Sequence, residues 1–143
     1  MRRLLALALA VPLLGGCGSG EDDYCDAVED RQAELTDIVS STRPDALLQA
    51  QGIFEDLRES APDDIVDEWQ VLVGAVDGLG DAMRDAGADP ETYDPEDPPA
   101  DVSPEQQEAI ATASTRLASA EVAEALRAVD QQVRDVCHTP LTL

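Results

Sequence analysis

The chain has no lysine, a single histidine, three cysteines and only four aromatic side chains. Its 9 basic residues are all arginine and stand against 31 acidic ones, for a net charge of −22 at pH 7. That balance excludes a nucleic-acid binder working through a basic groove, because phosphate contacts need clustered cations. One histidine and three cysteines leave little material for a metal cluster or an activated nucleophile. No G-x-S-x-G, H-E-x-x-H, phosphate-binding loop or G-x-G-x-x-G spacing occurs. The expectation is a protein that is not an enzyme and holds no cofactor and no metal. Strictly alternating apolar and polar runs are missing as well, which excludes half-buried strands. Long hydrophobic stretches are absent too: the one apolar run, Leu4–Leu14, is 11 residues, too short to cross a hydrocarbon core of about 30 Å as a helix.

What is present begins with an address. Met1-Arg2-Arg3 is a short positive segment, the run Leu4–Leu14 follows, and Leu14-Gly15-Gly16-Cys17 closes it. These are signal-peptide proportions, and the closing tetrapeptide resembles the lipobox of bacterial lipoproteins. Small residues let the chain enter the peptidase, and the Cys17 thiol receives the diacylglyceryl group. The alternative is an ordinary secretory signal that happens to precede a cysteine. On the lipobox reading, residues 1–16 are removed and 17–21 are the lipidated cysteine and a short tether. Residues 22–143 form a single helical domain. Seven arginines then face 31 acids. Two acyl chains anchor stably where one is marginal, so the membrane partner is reached through Cys17.

With Cys17 acylated, Cys25 and Cys137 remain, and an oxidising compartment allows one bridge between them; two unpaired small hydrophobes are the alternative. His138, next to Cys137, reads as an exposed polar residue.

The pattern predicts a small all-α bundle of four to five helices, its termini tied by that disulfide. A first helix is expected from about Asp22 to Ser41, with Tyr24, Val28, Leu35, Ile38 and Val39 on one face. A second starts at Pro44 and carries Leu47, Leu48, Ala50, Phe54 and Leu57. The third opens at Pro62 and has the clearest stripe: Ile65, Trp69, Leu72, Val76, Leu79 and Met83, with Gly87 as its stop. Residues 88–102, rich in proline and acids, are a loop with Tyr93 as its one large apolar handle. Ser103-Pro104 with Gln106 makes a capping box for a fourth helix carrying Ile110, Ala113 and Leu117.

Beyond Leu117 the phase fails. The next apolar set, Val122, Leu126, Val129, Val133 and Val136, starts five residues on, a rotation of about 140° at 100° per residue. A break or sharp kink is therefore expected at residues 118–120, capped by Ser119, with the upstream piece short and crossing the bundle end. Any groove is expected between the third helix and this kinked pattern, with Tyr93 at its edge.

Paired carboxylates are so numerous that none stands out for acid–base work. The loop Asp89–Asp97 offers oxygen ligands without the spacing of a calcium loop, and Gly74–Gly78 matches G-x-x-x-G.

Together the lipobox, Tyr24-Cys25-Asp26, Ala61-Pro62-Asp63-Asp64-Ile65 leading to Trp69, Asp89-Pro90 with Tyr93-Asp94, and Asp135-Val136-Cys137 resemble small lipoproteins of high-GC Gram-positive (actinobacterial) bacteria. Arginine in place of every lysine suits a GC-rich coding sequence. The resemblance implies an address and a helical domain, and it carries no functional residues. The resulting expectation is a lipid-anchored extracytoplasmic protein on the outer face of the cell membrane. It would serve as a non-enzymatic envelope binding or adaptor domain with a protein partner. A ligand- or divalent-cation-binding lipoprotein is the alternative.

Overall fold

The computed structural model describes residues 19–143; the signal segment 1–16 and the lipidation site Cys17 lie outside the described residues. Among the described residues the fold is all-α, in six helices: α1 Ser19–Ser40, α2 Ala46–Gln49, α3 Gln51–Ser60, α4 Val66–Ala86, α5 Pro104–Leu117 and α6 Ala120–Val136. The first helix starts earlier than expected, taking Ser19 and Gly20 out of the tether. The expected second helix is split at Ala50 into one turn and a longer piece.

Local chemistry accounts for most boundaries. Gly87 adopts φ 64°, the left-handed conformation that ends α4, and the Ala88 N–H closes back on the Met83 carbonyl at 3.0 Å. Ser103 Oγ accepts from the Gln106 N–H while the Gln106 side chain accepts from the Ser103 N–H, a complete capping box for α5. The break appears at Ala118–Ser119, and Ser119 Oγ accepts from the Val122 N–H to start α6. The upstream piece corrects one expectation. At 14 residues, α5 does not cross the bundle end but runs antiparallel along the C-terminal half of α4. Gln106 donates to the Asp85 carbonyl, and Thr112 and Arg116 lie opposite Gly78 and Ala75. An added Cβ at Gly78 would meet nothing within 4 Å, so the G-x-x-x-G spacing marks no close helix approach.

The core divides in two. The main cluster joins α1, α3, the N-terminal half of α4 and α6 around Trp69, Tyr24, Leu35, Leu57, Val129 and Val133. A smaller one, Met83, Ala86, Ala88, Val102 and Ile110 with Tyr93 against it, seals α5 and the acidic loop onto the end of α4. Arg43 ties the other side of that loop. It donates to Asp45 Oδ1 at 3.0 Å and pairs with Glu91, 48 residues away. Arg43 first and the Gln49 amide second hold the buried Asp45 carboxyl down at about 2.

At the centre, Trp69 Nε1 donates to the Tyr24 hydroxyl at 2.9 Å, both residues being fully buried. Burial pushes the Tyr24 hydroxyl from 10.0 up to about 12, against the pull of the Trp69 hydrogen bond. A group whose folded value lies above its unfolded one stabilises fully below the lower value and stops doing so as pH climbs through the higher one. The domain should therefore lose stability between pH 10 and about pH 12 through this residue. Tyr24→Phe removes that slope, although it starts lower because the indole N–H loses its partner. Urea midpoints at about pH 9 and about pH 11 measure the difference. Equal alkaline losses in both proteins would count against it.

Candidate binding groove

The Cys25–Cys137 bridge, with Cα atoms 5.2 Å apart, clamps the start of α1 to the end of α6. His138 follows with φ 57°, a left-handed residue at the end of α6 that turns the chain. From there the C-terminal strap runs along α1. Gln32 Nε2 donates to Thr139 Oγ1 at 2.9 Å and to the Pro140 carbonyl, and the Leu143 N–H donates to Thr36 Oγ1 at 2.8 Å. The strap wedges Leu141 between the two helices. Farther along, α1, α2, α3, α6 and the strap together line a groove of about 620 Å³.

The groove is built from apolar side chains that sequence periodicity assigns to the core. Val39 is 47 % exposed, Leu47 42 % and Leu126 44 %, and all three line it. Each has a local cause. The buried stripe of α6 is Val122, Ala125, Val129 and Val133, so Ala125 takes the core position and Leu126 lies on the flank. In α2, Leu48 and Ala50 pack on the core, which leaves Leu47 facing out. In α1, Ile38 packs on the core and its neighbour Val39 does not. The floor is Leu35 and Phe54, and Phe54 packs against Trp69 with ring centroids 5.9 Å apart. A second apolar pocket of about 220 Å³ lies beside it, lined by Leu72, Val76, Leu117 and Val122 and sharing Leu47, Phe54 and Leu126 with the main groove.

That second pocket does lie where a groove was expected, between the helix of Trp69 and the kinked pattern. The larger opening, between α1 and α6, was not foreseen, and Tyr93 sits in the second cluster rather than at the groove edge.

Charge on the groove runs against the rest of the chain. Its lining includes Arg127, Asp130 and Arg134; at 100° per residue all three share one flank of α6 with Leu126. Arg134 Nε donates to Asp130 Oδ2 at 2.8 Å, and Asp130 Oδ1 also accepts from the Leu141 N–H at 3.4 Å. The Arg134 bond above all holds the Asp130 carboxyl below its ordinary value, and the same pairing raises Arg134. Asp130 is thus neutralised and pins the strap. Arg127 pairs with no carboxylate among the described residues. The net charge of the lining is positive, in a chain of −22.

The remaining sequence candidates do not converge. His138 is exposed. Asp89 and Asp94 fold back to accept the N–H groups of Glu91 and Glu96 at 2.9 and 2.8 Å. Among the described residues, no three His, Cys, Asp or Glu side chains come together to hold a metal ion, and no helix is long and apolar enough to cross a membrane. No protein-family model, curated protein or solved structure matches this chain. Its functional reading rests on its own geometry.

Proposed function

We propose that this chain is an extracytoplasmic lipoprotein, akin to the small lipoproteins of high-GC Gram-positive bacteria and anchored through Cys17 to the outer face of the cell membrane. Its helical domain serves as a non-enzymatic binding module for another envelope component. The observation that carries the binding reading is the gathering of Val39, Leu47 and Leu126 around one groove. Isolated apolar residues on a surface need no explanation, but three at core register along one cleft define a surface to be covered. The charge supports the anchoring half. A mature domain of 7 arginines and 31 acids is repelled by an anionic bilayer, so a lipid rather than surface charge is what attaches it.

Cys17→Ala tests the anchor. Metabolic labelling with a fatty-acid probe should disappear and the protein should move from the membrane fraction to the medium. Persistent labelling of Cys17→Ala would refute the lipobox reading. For the binding module, a photo-crosslinking residue at position 126 in growing cells should yield an adduct that Val39→Asp removes.

A further inference from the structure

We infer that the groove takes one long-chain fatty acid, the acyl chain lying over Leu35, Leu47, Phe54 and Leu126 and the carboxylate meeting Arg127. This rests on the binding-module reading and names the ligand class of that same site.

Three observations lead there. The first is charge. Arg31, Arg43, Arg84 and Arg134 pair with acids of the chain itself. Arg58, Arg116 and Arg127 pair with no carboxylate among the described residues, and of these three it is Arg127 that lines the apolar slot, whose one carboxylate, Asp130, is already satisfied. An anionic head would be repelled over most of this surface; here it meets an unneutralised guanidinium.

The second is shape. The groove shares Leu47, Phe54 and Leu126 with a neighbouring apolar pocket of about 220 Å³. A single methylene chain is slim enough to lie over both, and the combined space falls in the ordinary range for one small ligand.

The third is distance. Leu35 and Val39 lie about 24–30 Å along α1 from Ser19 at a rise of 1.5 Å per residue. The groove therefore lies toward the far end of α1 from the first described residues, which favours a separate molecule over the protein's own anchor as its occupant. That offset also favours a free fatty acid over a lipid still resident in the bilayer.

The test uses the full chain carrying Cys17→Ala, which needs no detergent, titrated with palmitate below its micellar range. Trp69 emission is the optical readout, because Trp69 packs on Phe54 at the groove floor. Equilibrium dialysis with radiolabelled palmitate supplies the stoichiometry. Saturable uptake of one palmitate per chain is expected. Arg127→Gln should weaken it about 10- to 100-fold, the worth of a charge-assisted hydrogen bond, and hexadecanol should bind the parent chain more weakly by a similar factor. Leu126→Glu should weaken it at least as much while lowering the melting temperature only slightly, since Leu126 is 44 % exposed.

Absence of saturable uptake overturns the proposal, as does uptake indifferent to both substitutions. A dimer that Leu126→Glu dissociates, with no palmitate bound, overturns it in favour of a second copy of the chain. Binding to phosphatidylglycerol vesicles but not to free palmitate overturns it in favour of a bilayer surface. If palmitate fails while the position-126 crosslink still forms and still depends on Val39, the fatty acid is wrong and the binding module stands. If both fail, both readings fall.

Discussion

Replacing Cys25 and Cys137 together by alanine is expected to lower the unfolding free energy by up to about 4–5 kcal/mol. The two cysteines are 112 residues apart, so the bridge removes loop entropy from nearly the whole folded chain when it is unfolded. A domain of this size holds roughly 5–15 kcal/mol in total, so the loss is a large fraction of it. At about 3–6 °C per kcal/mol for a domain of intermediate length, the melting temperature should fall by roughly 12–30 °C. The location of the bridge sharpens the expectation. α1 and α6 are held by it at one end, and toward the groove the strap bonds α1 through Thr139, Pro140 and Leu143 and α6 through Leu141. Amide exchange in α1 and in the strap should therefore accelerate more than in α3 and α4. Urea melts of the oxidised parent and the double variant provide the measurement, and dithiothreitol should bring the parent to the variant's midpoint. A loss below about 1 kcal/mol would mean that the unfolded chain is already confined without the bridge.

Trp69→Ala should cost about 3–5 kcal/mol, the usual range for emptying a buried aromatic site. Trp69 is fully buried in the main cluster, touches Phe54 and donates its indole N–H to Tyr24. Truncation thus opens a cavity and also strands the Tyr24 hydroxyl in the core, a penalty of about 1–3 kcal/mol by itself. Collapse around the site sets where in the range the value falls. Leu126→Ala makes the contrast. Leu126 has the same apolar character and sits on the expected stripe, yet it is 44 % exposed, so its truncation should cost under about 1 kcal/mol. Equal losses at the two positions would mean that the groove is closed in solution and Leu126 is core. Denaturant midpoints of both variants decide this.

These two pairs of residues show how far a linear reading reaches. The bridge follows once Cys17 is set aside, because only Cys25 and Cys137 remain. Trp69 belongs to a stripe at steps of 3 and 4 whose members Ile65, Leu72, Val76 and Met83 are all buried. Leu126 occupies an equally regular place, i+4 from Val122 and i−3 from Val129, and is not. Periodicity assigns a face to within about half a helix circumference, whereas burial requires a second element at contact distance from that face. The same gap explains Val39 and Leu47: in each case a neighbour takes the core position, Ile38 in α1 and Leu48 in α2, and the displaced residue lines the groove.

Polar contacts divide in the same way. The Ser103–Gln106 box, the Ser119 cap and the left-handed Gly87 lie within one turn of the residues they terminate and are legible as spacing. Arg43 reaching Glu91, Tyr93 settling against Met83 and Ile110, and Asp130 holding the strap through Leu141 join distant segments, with no local signal to announce them.

By itself, then, the amino-acid order determined an all-helical domain, the stop of α4 at Gly87, the caps of α5 and α6 with the break between them, and, with Cys17 set aside, the Cys25–Cys137 pair. Each of these depends on interactions within a turn or on a count of thiols. Tertiary structure alone decided that α1, α2, α3 and α6 leave a groove among them, that Ala125 rather than Leu126 enters the core, and that among the described residues Arg127 is left without a carboxylate beside an apolar slot. Those outcomes depend on distances between elements far apart in the chain, which packing sets and which no local pattern encodes.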